Sequence, residues 1–218
     1  YPGCTEIEGD VLIGMWPGGC NISNLNGLSV LTSIGGDLDI IGNYNLTSLA
    51  GLNNVTSIGG YLSISNNYAL TSLTGLVGLN SIGGILEISN NHALISLIGL
   101  DNLDASSITE LYIFNNTSLP ACNVQSICDY LASPNGSINI YNNANGCNYP
   151  SEVMNDCGIT SFCLPYGNYY FDNQNDIDNF QTNYPDCFQL EGNVRISGGN
   201  NISNLNGLSN VTSIGGDL

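Results

Sequence analysis

A mostly-β fold wound as a parallel β-solenoid is what this sequence predicts, and three observations predict it. The run Ile34-Gly-Gly-Asp-Leu-Asp-Ile40 returns as Ile58-Gly-Gly-Tyr-Leu-Ser-Ile64 and again as Ile82-Gly-Gly-Ile-Leu-Glu-Ile88, each copy 24 residues after the last. Asn43, Asn67 and Asn91 follow at one offset, then Leu46, Leu70 and Leu94, then Leu49, Leu73 and Leu97. Within each copy, Leu-x-Ile alternates apolar and polar residues as a half-buried strand does. A fixed period of this length, built on Leu, Ile, Asn and Gly, marks stacked coils, none of which can bury its leucines alone.

Taken in order, Val11-Leu-Ile13 is the first predicted strand, and Leu38–Ile40, Leu62–Ile64 and Leu86–Ile88 follow. Leu111-Tyr-Ile113 with Asn116, and Ile138-Asn-Ile140 with Asn143, complete the series. Stacked in parallel about 4.8 Å apart, Ile40, Ile64 and Ile88 should form one internal column. The Gly-Gly pairs stand before each strand, where a corner with positive φ is expected. The asparagines are expected to satisfy turn backbone and to bond from coil to coil. Spacing stretches to 27 residues between Ile13 and Ile40, 25 between Ile88 and Ile113, and 27 between Ile113 and Ile140. Loops at Met15–Cys20 and around Cys122–Cys128 account for the stretches.

From Cys122 to Leu131, apolar residues at Val124, Ile127, Tyr130 and Leu131 predict a short amphipathic helix. Pro134-Asn-Gly136 reads as a turn, and Glu152–Cys157 as a helical turn. Together they predict a disulfide-stapled cap over the last coil. A larger repeat encloses the small one: Tyr1–Leu38 returns as Tyr184–Leu218, with Asn-Ile-Ser-Asn-Leu-Asn-Gly-Leu-Ser identical from Asn21 and from Asn201. The expected organisation is a module at 1–157, a connector at 158–183 with a helical turn over Asp176–Phe180, and the start of a second module at 184–218. A chain that opens on Tyr1-Pro-Gly-Cys4 and stops within a coil is expected either to continue or to be covered by another subunit.

The repeat Leu-x-Ile-x-x-Asn-x-x-Leu-x-x-Leu-x-Gly-Leu resembles the leucine-rich repeat in the variant found in receptor L domains. The chain is more similar still to leucine-rich surface proteins of environmental bacteria that carry such domains in tandem. Asp176-Ile-Asp-Asn-Phe180 followed by Tyr184-Pro-Asp-Cys187 resembles their inter-repeat segment. The resemblance implies a right-handed helical stack and a surface location. It carries no ligand-binding residue onto this sequence.

Net charge is −17, from 18 acidic residues against one cation, Arg195, which disfavours nucleic acid and anionic membranes as partners. Charged residues are only 9% of the chain, so Asn, Ser, Thr and Gly must solvate its surface. No apolar run approaches a membrane span. Eight cysteines outside the apolar repeats fit disulfides in an oxidising compartment; no pair has CxxC spacing, which weakens a zinc reading. Spacing leaves connectivity open, and the pairing expected is Cys4–Cys20, Cys122–Cys147, Cys128–Cys157 and Cys163–Cys187. Asn-x-Ser/Thr sequons at Asn21, Asn45, Asn54, Asn115, Asn116, Asn135, Asn201 and Asn210 are the candidate glycosylation sites.

No catalytic residue, cofactor-binding residue or metal ligand is assigned. The only histidine, His92, takes the place of Tyr44 and Tyr68 in the repeat. Asp39 and Glu87 occupy equivalent outward positions two coils apart, roughly 9.6 Å, near the separation of inverting glycosidases. An open sheet face, however, offers no burial to raise either pKa. Asp172-Asn-Gln-Asn-Asp176-Ile-Asp178 offers oxygens for a structural calcium but lacks the Gly and closing Glu of an EF-hand loop. Thr32-Ser33, Thr47-Ser48, Thr56-Ser57 and Thr71-Ser72 predict hydroxyl arrays, either as soluble edges or as a flat surface for ice or polysaccharide. Trp16 is a candidate sugar platform. The expected function is a non-enzymatic, extracellular or cell-surface structural and adhesive protein, its copies joining end to end. The alternative is a carbohydrate- or protein-binding module, with a polysaccharide-acting enzyme as a third class.

Overall fold

The computed structural model describes residues 3–15, 17–159, 163, 168–184 and 187–218. It is built mostly of parallel sheets, with few short helices and three disulfides. In chain order the first strands are β1 (Glu6–Ile7), β2 (Val11–Gly14), β3 (Ser33–Ile34), β4 (Leu38–Ile41), β5 (Ser57–Ile58) and β6 (Leu62–Ser65). β7 (Ser81–Ile82), β8 (Leu86–Ser89), β9 (Leu111–Phe114) and β10 (Ile138–Tyr141) follow. Each early repeat gives a two-residue strand to a four-stranded sheet ordered β1-β3-β5-β7, then a four-residue strand to a six-stranded sheet ordered β2-β4-β6-β8-β9-β10.

The register of the larger sheet places Ile13, Ile40, Ile64, Ile88, Ile113 and Ile140 in one column. Leu38, Leu62, Leu86 and Leu111 form a second. Both columns point inward, and the Leu46, Leu49, Leu52 and Val55 set of each repeat closes on them from the remaining sides. Burial of whole leucine columns, at about 25 cal/mol per Å² of apolar surface, is the main term favouring this arrangement.

The two-residue strands are too short for alternation to reveal them, and only the structure shows the second sheet. The Gly-Gly pairs also differ from expectation. None of Gly35, Gly36, Gly59, Gly60, Gly83 and Gly84 has positive φ. Glycine is needed there for close approach: a Cβ on Gly59 would stand 2.1 Å from the Gly35 carbonyl oxygen, and one on Gly60 1.9 Å from Asp37 Oδ1. Positive φ falls instead after the strand, at Gly42, Asn66, Asn90, Asn115 and Asn142. Asparagine is the side chain that best tolerates this conformation.

The next residue begins a buried ladder. Asn67 Nδ2 donates to Ile40 O at 2.8 Å, and its Oδ1 accepts from the Asn43 backbone N–H and from Asn43 Nδ2, both at 3.1 Å. Asn91 and Asn116 repeat the pattern, and Asn143 ends it by donating to Ile113 O and Cys147 O.

Past β9, α1 (Gln125–Ala132) and α2 (Pro150–Asp156) flank β10. Cys122–Cys147 and Cys128–Cys157 fasten them to the sheet end. The stretch expected as a connector contains a strand, β11 (Tyr169–Phe171), before α3 (Gln174–Asp178) and α4 (Phe180–Asn183). Then come β12 (Gln189–Leu190), β13 (Val194–Ile196) and β14 (Ser213–Ile214); β11 pairs with β13 and β12 with β14, all in parallel.

Three of the four disulfides named from the sequence are formed, the third being Cys163–Cys187. Cys4–Cys20 is not: both are free thiols. The register explains this. Cys4 precedes β1, which lies beside β3 of the small sheet, whereas Cys20 bridges to Asn43 beyond the large sheet. Closeness in sequence places the two sulfurs at different corners of one repeat.

Candidate functional site: the outer sheet face and the joint

Two columns line the outside of the six-stranded sheet: Asp39, Ser63, Glu87, Tyr112 and Asn139, beside Ile41, Ser65, Ser89, Phe114 and Tyr141. Asp39 and Glu87 therefore stand two strands apart across Ser63, and each is occupied. Asp39 Oδ2 accepts from the Tyr61 hydroxyl at 2.6 Å, and Glu87 Oε1 from the Ser89 hydroxyl at 2.7 Å. Ser63, Ser65 and Ser89 are buried among larger neighbours, so this face is not a hydroxyl array.

The aromatic residues pack on one another. Phe114 and Tyr141 lie with ring centroids 5.1 Å apart and 5° between planes, and Tyr170 tilts onto Tyr141 at 5.1 Å. At another corner Tyr44, Tyr68 and His92 stack at 5.0 and 5.2 Å. Tyr68 and Tyr141, with a ring on each side, leave an edge and not a face for a ligand. His92 Nδ1 meets Thr117 Oγ1 at 3.5 Å. Trp16 lies outside the described residues.

The threonine hydroxyls of the other faces serve the backbone. Thr32 donates to Thr5 O, Thr56 to Thr32 O and Thr71 to Thr47 O. Of the sequons, Asn21, Asn45, Asn54, Asn135, Asn201 and Asn210 are exposed and Asn115 is half-buried. Asn116 is fully buried with its amide on Ile88 O, which removes it as a glycan acceptor in the folded chain.

The richest polar cluster lies where 168–184 meets the end of the large sheet. Asn168 N–H donates to Ile138 O at 3.4 Å and Asn168 Nδ2 to Asn139 Oδ1 at 3.2 Å; the Tyr170 hydroxyl reaches Asn139 Oδ1 at 2.7 Å. A cavity of about 150 Å³ is lined there by Tyr141, Tyr149, Tyr170, Asp176 and Tyr184, among others. Asp176 anchors it. Its Oδ1 accepts from the Tyr149 hydroxyl at 2.6 Å, and its Oδ2 from the N–H groups of Asp172 and Asn173 and from Asn173 Nδ2. Asp172 Oδ1 accepts from Ser197 Oγ, and Asp178 Oδ1 from Gln174 Nε2. The three carboxylates considered for calcium thus hold protein donors, and among the described residues no group of three or more His, Cys, Asp or Glu side chains converges as a metal site.

Behind the cavity, Tyr169 contacts Phe180 and Tyr184 edge-on at 5.9 and 5.2 Å, and Phe171 contacts Phe180 at 5.7 Å. The sequence reading missed Tyr149, Tyr170 and β11; the alternation Tyr169-Tyr170-Phe171 was the available signal.

Tyrosine protonation carries a testable consequence. The carboxylate of Asp39, with burial second, pushes the Tyr61 phenol up to about 12; burial pushes Tyr130 up to about 12. Burial first, then Glu110 and Asp176 respectively, also raise Tyr112 and Tyr149, and burial raises Tyr184. A phenol raised in the fold keeps its proton while the unfolded chain loses it from about pH 10. The unfolded state then binds fewer protons, and stability falls with rising pH. Melting temperature should hold up to about pH 9.5 and fall between pH 10 and 12, with the tyrosinate absorbance of these five phenols appearing together with unfolding. Full tyrosine titration near pH 10 in a still-folded protein would contradict this.

Among the described residues no helix is long and apolar enough to cross a membrane. Comparison of the chain with protein-family models, with curated proteins and with solved structures gave no match.

Proposed function

We propose that this chain is a non-enzymatic, extracellular structural and adhesive protein, a right-handed β-solenoid of the leucine-rich, receptor-L-domain-like kind whose modules join end to end. The supporting observation is the joint itself: Asn168 and Tyr170, in the segment between the two copies, reach back onto Asn139 and Ile138, which favours reading the second copy as stacked on the first. Three disulfides fit an oxidising, secreted setting. A dense Asn, Ser, Thr and Gly surface at net charge −17 stays hydrated with few cations. Electron microscopy of oxidised, purified protein should show rods joined tip to tip. A field of short, discrete particles at every concentration counts against end-to-end assembly.

A second reading, a carbohydrate- or protein-binding module, draws on the cavity lined by Tyr141 and Tyr170, whose phenols both feel the positive charge of Arg195. Binding on a glycan or surface-protein array that is lost in Tyr170→Ala would favour it. Binding unchanged by that substitution would remove the cavity as its site.

A further inference from the structure

Residues 187–217 repeat the main cross-strand bonds of residues 4–37. Thr32 N–H donates to Thr5 O at 2.6 Å, and Thr212 N–H to Phe188 O at 2.7 Å. Gly35 N–H reaches Ile7 O at 2.6 Å, and Gly215 N–H reaches Leu190 O at 2.7 Å. Asp37 N–H is held by Asp10 Oδ1 at 2.9 Å, and Asp217 N–H by Asn193 Oδ1 at 2.8 Å. Even the sulfurs match: Cys4 Sγ lies 3.3 Å from Glu6 O and Cys187 Sγ 3.9 Å from Gln189 O, each against the carbonyl two residues on.

The two copies differ in what covers them. Cys187, Leu190 and Val194 are buried, whereas Cys4 is exposed and Ile7 and Val11 are only half-buried. In the second copy the cover is Cys163 together with residues 168–184. Cys163 is bonded to Cys187, β11 lies parallel to β13, and Tyr169 N–H donates to Asn193 O while Ser197 N–H donates to Phe171 O. Their counterparts in the first copy are Asp10 and Gly14, at the ends of β2, which is an edge of the large sheet just as β1 is an edge of the small one.

We propose that the β1–β2 edge with Cys4 is the receiving half of a second joint. Its occupant is a further segment of the 163–184 kind: a cysteine, then an extended Tyr-Tyr-Phe strand six residues on, then two helical turns. The strand adds in parallel to β2, its aromatic residues cover Ile7 and Val11, and its cysteine bonds to Cys4. A free edge strand with a free thiol beside it is what such a joint looks like unfilled. Thiol–disulfide exchange makes the bond. The Cys4 thiolate attacks the sulfur of a mixed disulfide on the incoming cysteine; one S–S bond forms, one breaks, and the small thiol leaves with the electron pair and takes up a proton. Such a joint deepens the end-to-end reading and rests on it.

The probe is a synthetic peptide of residues 160–184 with its cysteine as the glutathione mixed disulfide, offered to the full chain. Docking should raise the local concentration of the disulfide at Cys4, so that a Cys4 adduct forms at least about tenfold faster than with a scrambled peptide carrying the same group. Intact mass and peptide mapping read the site. Cys4→Ser should abolish the adduct, Cys20→Ser should retain it, and amide exchange over Val11–Gly14 should slow in the adduct. Equal rates for native and scrambled peptide, or equal labelling of Cys20, would overturn the joint. The assembly reading fails separately: selective peptide capture without rods leaves the joint standing, whereas rods without selective peptide capture remove the joint and leave assembly.

Discussion

Asn67→Ala lowers the free energy of unfolding by about 3 to 5 kcal/mol, among the largest losses expected of any single change in this chain. The side chain is completely buried. Its removal strands the Asn43 N–H inside the stack and takes one further bond each from the Ile40 carbonyl and from Asn43 Nδ2. An orphaned buried donor costs about 1–3 kcal/mol, and each further hydrogen bond lost about 0.5–1.5 kcal/mol. The lost volume adds a smaller cavity term. Asn67→Asp is no remedy: it keeps the acceptor for Asn43 but loses the donor to Ile40 O and buries a carboxylate. Asn45→Ala, on the exposed side of the corresponding turn one repeat earlier, should stay within about 0.5 kcal/mol. Urea unfolding of the three variants gives the comparison; an Asn67→Ala loss no larger than that of Asn45→Ala would show that the ladder contributes nothing net.

Gly59→Ala is expected to cost about 3 kcal/mol, although Gly59 is exposed and its φ is ordinary. The added methyl would sit 2.1 Å from Gly35 O and 2.8 Å from Gly35 C, both backbone atoms of the neighbouring strand turn. A flexible side chain could swing away, but a backbone carbonyl in a parallel ladder moves only if the two repeats part. Gly27→Ala is the control: nothing lies within 4 Å of its Cβ and its φ is not positive, so the change should be neutral or stabilise by a few tenths of a kcal/mol. Thermal melts separate the two. A Gly59→Ala protein as stable as Gly27→Ala would mean that repeats are not held at the spacing described.

These two positions also show how far the sequence could be read. The Asn67 column was legible because its 24-residue spacing leaves few interpretations, and the Leu62 and Ile64 columns were legible for the same reason. Asn66 was not: it looks like one more polar residue beside the ladder, and only the backbone reveals its φ of 59°. Gly59 was correctly seen as obligatory but for a dihedral reason, whereas a contact 24 residues away requires it. Ser57–Ile58 is too short a strand to alternate. Tyr169–Phe171 escaped because it stands outside the small period, and its partner strand lies 25 residues on. The Cys4–Cys20 pairing failed because the two residues, near along the chain, lie beside different sheets of one repeat. The larger repeat held the better clue, since Cys4 is the counterpart of Cys187 and not of anything close to it.

Each amide in the buried ladder hands its hydrogen in one direction: Asn43 to Asn67, Asn67 to Asn91, Asn91 to Asn116 and Asn116 to Asn143. None is reversed, and Asn43 Oδ1, at the N-terminal extremity, has no donor. Small dipoles aligned in series reinforce one another, which gives the molecule an electrical arrow along its length. Turning over any one amide would set nitrogen against nitrogen on one side and oxygen against oxygen on the other, so the whole row keeps a single sense. Polarity of this kind makes the two ends of the molecule electrically unlike.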